Sequence, residues 1–497
     1  MKRCLRFLAR GRVLRCVAVL VAALCRLGWP EPVGAQAVAG SADASVRAAD
    51  TGVAAGVPAA SAADRREFVI RSIAWTIEGR VDRAFVSAVA GIETGKAFES
   101  RRALDAYLAD RAQRLYNLRL FDEVGIEPAV GAPTEAGGPE AVDLVVRLRE
   151  SGTLIVLPGL SQDPTEGLVL DAMLLRYDVE GRGGELDLGL ARSWPPGAAP
   201  ETAGSAAYSL PFYTGPLEWQ GSATAVPAVA DDGRATLAAE ASLGVALPLY
   251  DGGGPDQVLL VPSIAAAGDW AAAGAAALSP GLALRFGRVD WLENRRRGFL
   301  VEAGVVGNRQ GVSAPGVAAS GIPASPAPAA PLYSADAGFY LPIGAGGEFM
   351  GRSGALVSTG ASECGLQTAV RGVDPGRLAG DAGLYANFDY WWNLGPFVFS
   401  KWFHMSWLSI FDAEVHAGPF VDVGIPRDPS AGDFDLRGGR VGTGLQVQSY
   451  ALYARPFYLY TSIGVDLRAA IASGTVLGLA ADGLPIAVLT SAVGVRY

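Results

Sequence analysis

The chain has 497 residues, half of them apolar and 64 of them Gly, and a formal net charge of −9. An acidic balance of this size speaks against nucleic acid as a partner. After the N-terminus no run reaches the roughly 20 unbroken apolar residues of a spanning helix, which leaves a very large soluble core or a membrane β-barrel to account for so much apolar surface.

The N-terminus reads as a secretory leader over 1–35. Lys2, Arg3, Arg6, Arg10, Arg12 and Arg15 form a basic region, Cys16 to Leu24 a short apolar core, and Val33-Gly34-Ala35 a small-residue cleavage site. A lipoprotein leader ending at Cys25 is the alternative, against which stands the bulky Leu24 where a small residue is needed. Cleavage after Ala35 removes Cys4, Cys16 and Cys25 and leaves Cys364 alone, so the mature chain carries no disulfide framework and no Cys metal site. Residues 36–66 are rich in Ala, Gly, Ser, Val and Asp and hold no aromatic residue, the composition of a disordered linker.

Residues 67–150 form one α+β unit. Phe68 to Ile77 alternates as a strand and stops at Gly79, Asp82 caps a short helix over 83–90, and Gly91 to Phe98 is a connection. Ser100 caps a longer helix to about Tyr116, with Leu104, Leu108, Ala112 and Leu115 at helical spacing. Phe121–Glu127 and Ala141–Glu150 are strands on either side of the turn-rich stretch Gly131 to Pro139. The order β-α-α-β-β allows both helices to cover one face of a three-stranded sheet. Gly91-Ile-Glu-Thr-Gly-Lys-Ala-Phe98 between the helices and Leu115-Tyr-Asn-Leu-Arg-Leu-Phe-Asp-Glu-Val124 running out of the second carry a resemblance. On them the unit resembles a POTRA (polypeptide-transport-associated) domain.

From residue 152 to 497 helical periodicity gives way to segments split by Gly, Pro and Asp. Candidate strands are 153–159, 167–177, 184–193, 206–212, 216–226, 235–248, 257–267, 275–288, 298–307, 332–341, 354–362, 383–392, 414–424, 440–449, 457–468 and 486–497. An even number near 16, with both barrel ends facing the periplasm, matches bacterial single-chain barrels. The connections then alternate: 308–331 and 363–382, the latter carrying Arg371, fall outside the cell, whereas Glu293-Asn-Arg-Arg-Arg297 is a solvated turn on the periplasmic side. The aromatic stretch 393–413, with Trp402, Phe403, Trp407 and Phe411, is placed along the inner interface.

Two strands place a candidate site. Leu384, Ala386, Phe388, Tyr390 and Trp392 share one face, and Tyr385, Asn387 and Asp389 the other; Val415, Ala417, Val421 and Val423 oppose His416, Phe420, Asp422 and Gly424. One apolar and one polar face at period two is the pattern of a strand between lipid and lumen. Asp422 then points inward, and Arg371 reaches it if its loop enters the barrel. In 457–468 the outward set is Phe457, Leu459, Ile463, Val465 and Leu467, and the inward set includes Tyr460, Asp466 and Arg468; Arg496 faces the lumen or rim near the final Tyr497.

Taken together, the POTRA-like unit and the 16-strand region resemble the BamA/TamA superfamily of outer-membrane assembly and secretion barrels. That resemblance implies a loop folded back into the lumen, whose Val-Arg-Gly tip pairs its Arg with the Asp of a Phe-x-Asp-x-Gly strand motif. The matching residues are Val370, Arg371 and Gly372, and Phe420, Asp422 and Gly424, with Val373 where the family usually has an aromatic residue. It further implies outer-membrane lipid, extended client polypeptides and accessory assembly proteins as partners, no cofactor, and client strand addition at the POTRA sheet edge, placed here at Val142, Leu144 and Val146. Strands one and sixteen would meet at a weak seam, the first being short and broken by Pro158.

Enzyme signals are thin. His404 and His416 are the only histidines, and neither a Gly-x-Ser-x-Gly elbow nor a His-Glu-x-x-His helix is present. The alternative to an assembly or secretion barrel is a passive channel with a vestigial POTRA unit.

Overall fold

The structure of the protein, a computed structural model, describes residues 67–495 apart from 134–137, 164–166, 195–198, 215–216, 232, 234, 252–256, 270–276, 308–330, 359–363, 428–432 and 435. The leader over 1–35, the linker over 36–66 and the chain end at Arg496 and Tyr497 lie outside the described residues.

The N-terminal domain runs β1 (Phe68–Glu78), α1 (Arg83–Ala90), β2 (Ala97–Phe98), α2 (Arg101–Asn117), β3 (Phe121–Pro133) and β4 (Glu140–Glu150). Its helices begin where the polar side chains allow. Asp82 accepts from the Ala84 N–H and Ser100 from the Ala103 N–H, each satisfying a donor the first turn leaves open. Gly91, at φ 57°, closes α1 in the left-handed conformation. The connection 91–98 is more than a loop: Phe98 and Ala97 pair with Phe68 and Val69, so the sheet has four strands rather than three, in the order β2-β1-β4-β3.

This order overturns the placement of the client edge. β4 is paired in parallel with β1 and antiparallel with β3, so it is an interior strand. Val142, Leu144 and Val146 are buried in the domain core under Leu104 and Leu115 of α2. An alternating apolar strand marks a buried face, and it says nothing about whether the strand's hydrogen-bonding edge is free. Among the described residues the long unpaired edge is that of β3.

The sixteen-stranded antiparallel sheet follows, each strand paired with the next in sequence. Its strands are β5 (Leu154–Asp163), β6 (Gly167–Val179), β7 (Gly184–Trp194), β8 (Glu201–Thr214), β9 (Leu217–Ala230), β10 (Ala235–Asp251), β11 (Gln257–Asp269) and β12 (Ala277–Leu292). They continue as β13 (Arg295–Val306), β14 (Leu332–Ile343), β15 (Gly347–Ser358), β16 (Ala382–Phe397), β17 (Ala413–Pro426), β18 (Arg440–Ala451), β19 (Phe457–Asp466) and β20 (Ala487–Val495). The fold is a transmembrane β-barrel. Leu445 and Leu489, on the outward rows of β18 and β20, are 63% and 70% exposed, the reverse of a water-soluble wall. No helix among the described residues is long and apolar enough to cross a membrane.

Several strands differ from the sequence expectation for identifiable reasons. β5 continues through Pro158, opposite Ala172, to Asp163, so it is neither short nor broken. It is an edge strand, and such a strand owes hydrogen bonds to one neighbour only, so it tolerates a Pro. No ladder joins β5 to β20 among the described residues; the start of β5 is instead tied to the β18–β19 turn by the Gly152 N–H to Tyr453 O at 2.6 Å. β15 starts seven residues earlier than 354, because Glu348 and Arg352 point into the barrel, where Arg296 and Asp336 pair with them. β19 ends at Asp466, whose carboxylate accepts from the Ala469 N–H and starts helix Leu467–Ser473. Arg468 therefore sits on that helix, not in a strand, and donates to the carbonyls of Arg437 and Gly439.

Phe457, expected to face outward, is buried. With Leu175, Tyr177 and Ala454 it belongs to the same apolar cluster as Leu104, Leu115 and Phe121 of the N-terminal domain. The core of that domain is thus continuous with one end of the barrel, here called the domain end. Burying each such side chain contributes on the order of 1.5–3 kcal/mol.

Candidate functional site

The site is built on the inward rows of four neighbouring strands. Register aligns Asn387 of β16, Asp422 of β17, Gly442 of β18 and Asp466 of β19 in one row, and Asp389, Phe420, Gly444 and Gly464 in the next. Three glycines therefore leave a hollow in the wall, flanked by the Asp389 and Asp422 carboxylates. The loop between β15 and β16 fills it. An added Cβ on Gly442 would stand 1.8 Å from the Arg371 carbonyl oxygen, and one on Gly464 2.5 Å from the Gly372 Cα. Gly372 itself is at φ 73°, where side chains are strained, so both sides of this contact depend on glycine.

Arg371 is held at every donor of its guanidinium. Nε and Nη2 donate to the two oxygens of Asp422 at 2.8 and 2.7 Å, Nη2 also to Asp389 at 2.6 Å, and Nη1 to Gln446 at 2.6 Å and the Tyr460 hydroxyl at 3.1 Å. The Arg371 backbone N–H adds a further bond to Asp422 at 2.8 Å. The guanidinium carbon lies 4.4 Å from the centre of the Phe420 ring, within cation–π range. Planar, forked and always charged, Arg suits this set of acceptors as Lys does not. One cation faces two buried carboxylates, and the Gln446 amide donates to Asp389 at 3.0 Å to answer the second.

Val370 and Val373 flank the tip and are buried with Cys364, Leu366, Leu378 and Tyr385 in a small apolar cluster inside the barrel. Val373 thus supplies apolar contact without a ring. Gly424 makes room for Val370, whose Cγ2 would be 2.8 Å from an added Cβ. Asn387 donates to the Ala369 carbonyl at 2.8 Å and holds the incoming arm.

A second anchor was not foreseen. Arg377, buried, donates from Nε and Nη2 to Asp482 at 2.8 Å, from Nη1 to the Pro485 carbonyl at 2.8 Å and from Nη2 to the Leu484 carbonyl at 3.0 Å, and it reaches Asp466 at 3.3 Å. Its hydrogen bonds hold the Asp482 carboxyl below the ordinary carboxylate range. The lumen loop is thereby tied to the β19–β20 connection. Arg377→Ala is expected to loosen that tie by removing its hydrogen bonds to Asp482 and to the Leu484 and Pro485 carbonyls. Trypsin should then cut after Arg468 several-fold faster while sites in the N-terminal domain are cut at the parental rate.

At the domain end a third cluster closes on Arg119, which follows α2. Its guanidinium donates to the Arg455 carbonyl, the Glu293 carbonyl at 2.8 Å and the Asn294 side chain at 2.7 Å, and it lies 4.2 Å from the Trp291 ring centre. Asn117 and Gln113 bond to Asp290 and to the backbone of Trp291, and Asp110 pairs with Arg288. The 293–297 stretch is therefore only partly solvated: the Glu293 carbonyl and the Asn294 side chain grip Arg119 and Arg296 is buried against Glu348, while the Glu293 and Arg297 side chains are exposed. His416 joins the same end, bonded to Glu414 at 2.7 Å and edge-on to Tyr450. Trp402, Phe403 and Phe411 of the 393–413 stretch are exposed at this end of the wall.

No protein-family model and no curated protein matches the chain. Solved structures do. CdiB from Acinetobacter baumannii aligns over 86% of this chain and 74% of its own, at 14% identity and a TM-score of 0.50. CdiB from Escherichia coli aligns over 89% and 93% at 12% identity and a TM-score of 0.45. BamA from Haemophilus ducreyi lacking POTRA domains 1–3 aligns over 85% and 84% at 12% identity and a TM-score of 0.41. The likeness to the Acinetobacter CdiB is one of fold: a barrel of the same kind.

Sequence reasoning brought Arg371 and Asp422 together and put Asp389 and Tyr460 on inward rows without giving them a role. Gln446, Gly442 and Gly464 were missed. The signal for them was present in the same period-two reading of β18 and β19, where glycine falls on the inward row opposite Asp422 and Phe420.

Proposed function

We propose that the chain is an outer-membrane barrel of the BamA/TamA type that inserts or translocates client polypeptides, with the N-terminal domain a single POTRA domain in the periplasm. The observation that carries this reading is the occupied lumen: residues 364–381 are folded inside the wall and fixed there by Arg371 on Asp422 and Asp389. Threading a loop into a pore costs chain entropy of about 1–2 kcal/mol per residue ordered, and a passive channel gains nothing from it. A transporter that must stay sealed between clients does. The unpaired edge of β3 offers thirteen residues of backbone for strand addition by an extended client.

Depletion tests the reading. Loss of the protein should leave other barrels unassembled, or one client unsecreted, before growth or envelope integrity fails. Normal levels of folded barrels together with normal secretion after depletion would overturn it.

A further inference from the structure

The β19–β20 connection carries an apolar surface that the lumen loop does not use. Helix Leu467–Ser473 folds back against the outer side of the wall: Leu467 and Ile471, one turn apart, share an apolar groove with Val441, which lies on the outward row of β18. Ala469 and Ala470 face the other way and are buried against Ile486. Beyond the helix the chain exposes Val476, Leu477 and Leu479, and Ile471 itself is 75% exposed.

Arg468 is the one charged residue lining the groove, and its guanidinium is engaged by backbone carbonyls. The connection from 467 to 486 holds two charged residues, Arg468 and Asp482. Arg468 is bound to the Arg437 and Gly439 carbonyls, and Asp482 to Arg377. The other exposed side chains of 471–479 are aliphatic or hydroxyl, Ile471, Val476, Leu477 and Leu479 with Ser473 and Thr475 among them. Protein-binding hot spots favour Trp, Tyr and Arg, and indole or phenol rings favour the headgroup level of a membrane; the connection holds no aromatic ring, and its single Arg is spent on backbone carbonyls. The patch is continuous with the lipid-facing wall through Val441, Leu445 and Ile463.

We infer that the segment Leu467–Leu479 is an anchor in the outer leaflet, its side chains seated among lipid acyl chains at the rim of the barrel. This rests on the membrane-barrel reading and adds to it a lipid contact made by a loop rather than by a strand. Since Arg377 ties the same connection to the lumen loop, the anchor also fixes the outer end of the plug to the membrane.

Environment-sensitive labels test it. In the full chain with Cys4, Cys16, Cys25 and Cys364 replaced by Ala, single sites are introduced by Ile471→Cys or Leu477→Cys, by Leu445→Cys as a wall reference, and by Arg102→Cys on the exposed face of α2 as a water reference. Each is labelled with a nitrobenzoxadiazole and refolded into phosphatidylcholine vesicles with or without chain-brominated lipid. Labels at 471 and 477 should lose the same fraction of emission to brominated lipid as the label at 445, and resist aqueous iodide. Behaviour like that at 102, or shielding from both quenchers as in a protein contact, would overturn the anchor. Failure of quenching at 445 would instead overturn the membrane-barrel reading itself.

Discussion

An Arg371→Ala chain in a planar bilayer should conduct as a larger and noisier pore than its parent. Among the described residues the guanidinium is the only cation paired with Asp389 and Asp422, and those carboxylates are 1% and 0% exposed. Removing one partner of a buried pair leaves the other charge uncompensated, a loss of about 3–5 kcal/mol. Arg371 keeps a fifth of its own exposure, so the lower end of that range applies. At 1.4 kcal/mol per tenfold, about 3 kcal/mol shifts the seated loop against the released loop by roughly two orders of magnitude. Arg371→Lys keeps the charge but not the fork, and should fall between the two. Gly442→Val tests position without touching charge: its side chain would occupy the place of the Arg371 carbonyl, and the same opening is expected. Parental conductance in both Arg371→Ala and Gly442→Val would show that the loop is not the plug.

The reason this pair was legible in the sequence, and Arg119 was not, is physical. Strand alternation is a local signal, readable residue by residue, and it puts Asp389, Asp422 and Tyr460 on the inside without knowledge of the rest of the chain. The sixteen barrel strands were located as segments split by Gly, Pro and Asp, and the largest boundary error falls at β15, where a charged lumen face blurs the alternation. Docking between two folded parts leaves no such period. Arg119 bonds to residues 174 to 336 positions away, and its acceptors are mostly backbone carbonyls, which every sequence has. The arginine-rich turn was misread for the same reason: three successive Arg suggest solvent, yet Arg296 is buried by a Glu two strands away. Pairing order in the small sheet was equally silent, because the apolar alternation of β4 is compatible with an edge or an interior position.

Arg119→Ala should release the N-terminal domain from the barrel mouth without unfolding either part. The residue sits in the left-handed region at φ 55°, a conformation costing an L side chain roughly 1–2 kcal/mol, and it is sustained by contacts that fix its side chain from several directions. Losing them strands the Arg455 and Glu293 carbonyls and removes the ring contact with Trp291, on the order of 2–4 kcal/mol in all. Amide hydrogen exchange should rise in 290–296 and 452–457 while the centres of β17 and β18 stay protected; unchanged exchange in both turns would refute the latch. With the domain docked over the mouth, the two clusters are expected to act as barriers in series to ions. Arg119→Ala alone should leave conductance low, because the Arg371 loop still fills the wall. The double variant should conduct more than Arg371→Ala, since the mouth no longer limits the current. Conductance in the double variant equal to that of Arg371→Ala would mean that the docked domain leaves the mouth open to ions, and that sealing rests on the loop alone.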